Sequence, residues 1–296
     1  LLLGTAITVI LSGNIVRPVN ALSTAMQRVA NGDYDVKLET KSNFEIIRRV
    51  YSDFNHMVDE LNAVETLRND FVSNVSHEFK TPLSSIEGYA MLLQDESLSA
   101  EARSEYTERI VVSTRRLSTL VSNILMITKI ENQTMPFTLS SYRVDEQVRQ
   151  SILLLENKWS EKNIGFEMDM DSIEFCAVEG LLGNVWSNLI DNAIKFSPEG
   201  EIIYISLKEK DDMLSFKIAN RGEPMSGETL KRIFEKFYQG DTSHKREGNG
   251  LGLALVKKIV RVHGGSVSAV NTEDGLIEFT VNLPAKRSCE RCCGSN

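Results

Sequence analysis

Apolar residues in the first part of the chain recur in steps of three and four. Ile15, Val19, Leu22, Met26 and Val29 form one such seam, and Ile47, Val50, Phe54, Met57, Leu61 and Val64 form a second. That spacing keeps a narrow apolar stripe on one side of a helix. Asn31-Gly32-Asp33 ends the first stretch, and Tyr34 to Asn43 connects the two. Neither short helix can bury its stripe alone, so the pattern predicts pairing with a second copy into a parallel four-helix bundle. Leu61, Val64 and Leu67 then step by three twice before Phe71 and Val75 resume steps of four. Such a phase break overwinds a coiled coil locally and is a place where a signal can change helix packing. Plain irregularity in an amphipathic helix accounts for it equally well.

The stripe continues through Val75, Phe79, Leu83, Ile86, Ala90 and Leu93. His77 lies about 200° round the helix from Val75, so its imidazole points away from the seam. Thr81, four residues on, shares the face of His77. Pro82 removes a bond to the carbonyl of Glu78 and is expected to kink the helix. A turn from Asp95 to Ala100 leads to a second helix with apolar Ile110, Leu117, Val121, Ile124 and Ile127. Two helices per chain again predict a dimer with four.

From about Thr138 the pattern becomes mixed. Strand-like runs at 202–207, 214–219 and 277–281 alternate with helical ones. Asn188, Asp191, Asn192 and Lys195 form one polar stripe on a helix otherwise filled by Leu182, Val185, Leu189, Ala193 and Ile194. A merely solvated face would favour Glu, Lys and Gln, and two Asn inside a helix cost propensity. Amide oxygens beside an ammonium suit a magnesium-bound polyphosphate, because magnesium takes oxygen ligands and keeps waters. Downstream, Gly248-Asn249-Gly250-Leu251-Gly252-Leu253 opens another helix, and glycines ahead of exposed N–H groups make an anion site.

The chain has 296 residues, enough for about two domains of ordinary size. Its net charge of −8 argues against broad nucleic-acid binding, since no cationic excess displaces counterions from phosphates. Four cysteines, three of them in the last eight residues, do not make a disulfide framework, and the body reads as cytosolic or redox-neutral. The Cys289–Cys293 cluster has no second cluster or nearby His to complete a metal clip. The first eleven residues are apolar and would rise about 17 Å as a helix. A core helix and a signal-peptide remnant compete with the favoured reading, the cytoplasmic end of a transmembrane helix with Arg17 just inside.

Ser76-His77-Glu78-Phe79-Lys80-Thr81-Pro82-Leu83 closely resembles the phosphoacceptor motif of sensor histidine kinases. Pro18 with Leu22, and Phe54-Asn55-His56-Met57, resemble the HAMP linker of bacterial sensors, although Glu45-Ile46-Ile47-Arg48 stands where that family usually has Asp-Glu-x-Gly. The stretch 188–196, Phe234-Glu-Lys-Phe237-Tyr238 and the glycine turn resemble the N, F and G2 boxes of the family's ATP-binding domain. Asn220-Arg221-Gly222-Glu223-Pro224 replaces the usual Asp-x-Gly-x-Gly of the G1 box, and Gln239 stands where a phosphate-binding Arg is common.

The resemblance implies a bacterial membrane-bound sensor histidine kinase of a two-component system, with ATP and Mg2+ as its cofactors. His77 takes the γ-phosphoryl of ATP, Glu78 orients or deprotonates the ring, and Thr81 holds the water that dephosphorylates a response-regulator receiver domain. Asn192 would hold the magnesium, Asn188 and Lys195 the phosphates, and Phe196 the adenine pocket. Asp191, Asn220, Gly222, Phe234, Phe237, Gly248, Gly250, Gly252 and Leu253 complete the nucleotide set.

The expected fold is multidomain: parallel and antiparallel all-α four-helix bundles, dimeric, followed by an α/β sandwich. Residues 1–13 end a transmembrane helix, 14–64 form the HAMP linker, 65–132 the dimerisation and phosphotransfer domain, 138–285 the ATP-binding domain, and 286–296 a disordered tail. The protein is expected as a homodimer tethered to the plasma (inner) membrane by its N-terminal helix, mostly cytoplasmic, with no nucleic-acid partner. Two other functions compete. A gyrase-type ATPase would need a water-activating acid where Asn188 stands, and Asn cannot act as that base. A non-catalytic dimeric relay with a degenerate nucleotide site remains open at this point.

Overall fold

The computed structural model describes residues 15–39, 44–132, 138–239 and 248–285. The expected transmembrane end at 1–13 and the tail at 286–296 lie outside these. The chain divides into two compact units, the first ending at His77 and the second beginning at Glu78.

In the first unit, α1 spans Arg17–Ala30 with Pro18 in its opening turn, where a missing N–H costs nothing. Gly32, at φ 87°, turns the chain out of the helix as the Asn31-Gly32-Asp33 signal predicts. Then α2 runs from Glu45 to Leu92 as one 48-residue helix. Ala25 and Val36 pack against Phe54 and Val58 of α2. Asn55 pins the connector by accepting from the Leu38 N–H at 2.8 Å and donating to the Leu38 carbonyl at 2.9 Å. The Tyr51 hydroxyl donates to the Pro18 carbonyl at 2.9 Å.

A second stripe of α2, sharing Phe54 with the expected seam, is buried within the chain. Tyr51, Phe54 and Val58 are buried, whereas Val50, Met57, Leu61 and Val64 stay exposed. One side of α2 covers α1 and the connector, and the stripe beside it is left for another surface. The expected kink at Pro82 does not end α2, which continues through it for another ten residues to Leu92.

The second unit contains the end of α2, and α3 (Ala100–Glu131) capped by Ser99, whose hydroxyl accepts from the Ala102 N–H at 3.1 Å. Strand β1 (Ser140–Arg143) then pairs antiparallel with β3 (Glu174–Ala177). Between them lie α4 (Val144–Leu153), α5 (Glu156–Glu161) and β2 (Gly165–Met170). The long helix α6 (Glu179–Phe196) precedes β4 (Ile202–Lys210) and β5 (Met213–Arg221). Short α7 (Gly227–Arg232), α8 (Gly252–Val262), β6 (Ser266–Asn271) and β7 (Leu276–Pro284) complete the unit.

Five strands form one sheet in the order β2-β4-β5-β7-β6, parallel only between β2 and β4. Ile203, Ile205, Leu207, Phe216, Ile218 and Val281 alternate on the face that carries the core. Helices α4, α6 and α8 cover that face, and the Trp186 ring meets Phe216 at 4.7 Å between centroids. This is the expected two-layer α/β sandwich.

Strands at 202–207, 214–219 and 277–281 were legible, whereas β1, β2, β3 and β6 were not, being short or rich in Ser, Glu and Asp. On α3, the fully buried residues are Leu120, Ile127 and Ile130, and they join the sandwich core. By length and composition α3 is also the one helix among the described residues able to cross a membrane. Cys176 lies on β3, and the chain's other cysteines lie outside the described residues.

Candidate functional site

Helix α6 owes its position to one apolar face. Leu182, Val185, Trp186, Leu189 and Ile190 are completely buried, and the Trp186 indole donates to Gln147 Oε1 at 2.9 Å. The opposite stripe of Asn188, Asp191, Asn192 and Lys195 is therefore fixed half-buried beside the glycine turn. Asn188 donates from Nδ2 to the Asn184 carbonyl at 2.7 Å, and its oxygen is directed at Gly252. That oxygen lies 2.5 Å from where a side chain on Gly252 would begin. Lys195 Nζ stands 2.8 Å from the corresponding point on Gly248 and 4.9 Å from the Phe196 ring centroid.

The F-box segment closes on the same turn. Gly250 has φ +64°, and a Cβ there would lie 2.6 Å from the Phe237 carbonyl carbon. The Phe237 N–H donates to the Gly250 carbonyl at 2.9 Å, with Phe237 itself at φ 63°. A bulky residue in the left-handed region is strained by ~1–3 kcal/mol, and such strain concentrates at functional sites. Phe234 packs edge-on to Phe279 at 6.4 Å, and Leu253 lies against the core. Gln239 donates to the Gly248 carbonyl at 3.0 Å, so it ties the two segments together.

The variant G1 segment completes the cluster. Asn220 is buried at the end of β5 and donates to the Arg221 carbonyl at 3.1 Å. A Cβ on Gly222 would lie 3.4 Å from the Phe196 carbonyl and 3.5 Å from Asn220 Nδ2. The four nucleotide motifs expected from sequence are thus adjacent in one unit. Asp191 is drawn partly away from the set by Lys158, whose Nζ lies 2.5 Å from its carboxylate. Sequence reading missed Lys158 and also Lys162, since neither belongs to a phosphate-type motif. A hollow of about 160 Å³ lined by Glu167, Tyr204, Lys217 and Glu278 is on the uncovered face of the sheet, away from these residues.

His77 and Thr81 are both exposed on α2, one turn apart. Glu78 is half-buried, and Arg116 of α3 approaches its carboxylate at 3.4 Å. That cation was not anticipated from sequence, because 38 residues separate the two.

Residues 10–63 match the HAMP domain, 67–133 the His Kinase A (phospho-acceptor) domain, and 177–287 the histidine kinase-, DNA gyrase B- and HSP90-like ATPase family. The chain is 33% identical over 286 residues to the heme sensor protein HssS of Staphylococcus aureus, covering 96% of this chain. It spans 62% of the length of that curated relative. Full-length ShkA, solved in complex with AMPPNP, is 27% identical with a TM-score of 0.56, over 74% of this chain and 46% of that one. The histidine kinase ThkA, solved in complex with the response regulator protein TrrA, shares the fold at 23% identity and a TM-score of 0.61, over 76% and 64% of the two chains. With linker, phosphoacceptor and ATPase segments in this order around the geometry above, the chain belongs to the sensor histidine kinase family.

Proposed function

We propose that this chain is the signalling and catalytic part of a membrane-tethered protein-histidine kinase, which phosphorylates His77 from ATP and passes the phosphoryl group to an aspartate of a response-regulator receiver domain. The observation that carries this reading is the convergence of Asn188, Lys195 and Phe237 on one glycine turn, with Asn220 and Gly222 beside the neighbouring Phe196. Lys195 supplies the positive charge for a polyphosphate, and the start of α8 presents first-turn N–H groups, which have no acceptor within the helix, to the same anion. Asn220, buried and uncharged, accepts a hydrogen bond from the adenine amino group in place of the usual aspartate.

The donor chemistry of the α6 stripe suits Mg2+, with the Asn192 amide oxygen as its protein ligand among half-buried oxygens. When bound, magnesium neutralises charge on the phosphates. Around it, the protein positions: Lys195 holds the phosphate tail, and Phe196 and Asn220 hold the base. At His77, the ring nitrogen forms a bond to the γ-phosphorus as the bond to the ADP oxygen breaks. Glu78, steadied by Arg116, orients the ring and receives its proton.

A homodimer is supported by the apolar stripes left uncovered. Val50, Met57, Leu61 and Val64 on α2 are exposed, as are Val121 and Leu125 on α3. The domain limits are proposed as 14–64, 65–132 and 138–285, with the membrane anchor N-terminal to them.

A gyrase-type ATPase is disfavoured because Asn188 stands where the water-activating acid would be. The relay alternative is separated by experiment. AMPPNP binding measured by calorimetry with and without Mg2+ is followed by incubation with γ-labelled ATP. Binding together with acid-labile, base-stable label supports the kinase; binding without label supports the relay.

A further inference from the structure

The last turn of α6 carries Lys195 and Phe196, yet the helix ends there without a glycine cap. Ser197 follows in extended conformation, its N–H and hydroxyl both donating to the Ala193 carbonyl. The carbonyls of Ile194 and Lys195, which would otherwise need donors from the next turn, are left over. Lys162 supplies them. Its ammonium donates to the carbonyls of Ile194 at 2.9 Å, Lys195 at 2.9 Å and Ser197 at 3.1 Å. An ammonium has three N–H donors, so all are committed to this one helix end. The positive charge also sits at the negative end of the helix dipole.

The backbone of Lys162 acts on the same loop, its carbonyl accepting from the Gly200 N–H at 2.8 Å. Asn163, at φ 52°, turns the chain directly afterwards, and Gly165 accepts its place beside β4 through its N–H to the Glu201 carbonyl at 3.0 Å. Residue 162 therefore brackets the 194–200 segment from side chain and main chain together.

We infer that Lys162 is a positioning residue for the nucleotide site, holding the last turn of α6 so that Lys195 and Phe196 face the glycine turn and Gly222. The inference rests on the reading of that site as an ATP site. Two contacts show what is being held: Lys195 Nζ at Gly248, and the Phe196 carbonyl at Gly222. Without donors, the last turn frays into water, and both side chains lose their register with respect to the other motifs. Lys158, one turn earlier, also reaches α6 through Asp191. That pair is exposed, with 58% and 38% of the two side chains accessible, and an exposed pair contributes little. The two lysines therefore differ in weight, and Lys158 serves as the control.

The test compares the whole chain with Lys162→Met, Lys162→Arg and Lys158→Ala. AMPPNP affinity is measured by calorimetry, KM for ATP and kcat by autophosphorylation, and folding by thermal melting. Lys162→Met is expected to weaken AMPPNP binding and raise KM by about fivefold, with kcat changed less than about twofold. Lys162→Arg should recover most of the affinity, and Lys158→Ala should stay within about twofold. If Lys162→Met does not fold, Lys162→Gln, which keeps two donors, is read in the same way with a smaller loss. AMPPNP affinity equal to the parent in a Lys162→Met or Lys162→Gln protein would overturn the inference, even if its melting temperature fell. A parent chain that binds no AMPPNP would instead overturn the ATP-site reading, so the two failures are distinguishable.

Discussion

The Asn188 amide oxygen lies 2.5 Å from the point where a side chain on Gly252 would begin. A helix start and the polar stripe of a second helix are thus in contact at a position where a Cβ would have to displace the Asn188 amide. The outcome of adding a methyl group depends on what must yield. At Gly252 it is the tip of one short side chain, so Gly252→Ala should fold with a stability loss below about 1 kcal/mol but displace the Asn188 amide. At Gly250 it is the Phe237 backbone, together with a left-handed φ. Gly250→Ala should therefore lose about 1–3 kcal/mol of stability as well as nucleotide affinity. Chemical denaturation and AMPPNP calorimetry on both variants check this contrast; equal stability losses would contradict it.

Asn192 and Asn220 make opposite predictions within one site. Asn192→Ala removes the oxygen assigned to magnesium and should abolish autophosphorylation. Asn220→Asp restores the usual charge at the base and should preserve or improve ATP affinity. Unchanged labelling in Asn192→Ala would show that the metal ligand is misplaced.

Much of this site was legible because its chemistry sits in short contiguous strings. Asn188 to Phe196 and Gly248 to Leu253 each carry several functional residues on one turn or one face, and local periodicity reveals that. Lys162 was not legible, since a lysine that caps a helix 32 residues away leaves no periodic trace. Arg116 was missed for the same reason. Tyr51 and Val58, which the chain buries beside Phe54, were not singled out because the adjacent Val50 and Met57 are at least as apolar. Only the packing of α1 and the Leu38 segment against one side decides between them.

Thr81 is uncharged and one turn from His77, so it contributes little to phosphoryl transfer onto the ring. Thr81→Ala should keep autokinase activity within about tenfold, roughly 1.4 kcal/mol of barrier. Removing phosphoryl from a receiver aspartate needs a hydroxyl-held water, and the same variant should largely lose that activity. Decay of a phosphorylated receiver domain in the presence of each protein measures it. A decay as fast as with the parent would exclude the water-positioning role.

Acid should destabilise the second unit partly through Asp145. Its side chain is inaccessible and lies 2.7 Å from both Arg143 and Arg149. The Arg143 hydrogen bonds first, then those from Arg149 and the Ile173 N–H, outweigh the opposing cost of burial and hold the carboxyl well below its ordinary range. A lowered folded-state pKa contributes stability above the unfolded value near pH 4, and this stability is lost as pH falls below it. Asp145→Asn should lower the melting temperature at pH 7 by about 5 °C and flatten its dependence between about pH 4 and 2. Parallel melting curves for parent and variant across that range would rule out this assignment.

A kinase of this design transfers phosphoryl from a nucleotide on α6 to the exposed imidazole on α2. The most direct measurement of that transfer is site-resolved phosphate mapping after incubation with γ-labelled ATP and Mg2+, with AMPPNP affinity determined for parent and His77→Gln. Acid-labile, base-stable phosphate is expected on His77 in the parent and none in His77→Gln, with equal AMPPNP affinity in both. Label persisting in His77→Gln, or a parent that binds AMPPNP and stays unlabelled, would contradict it.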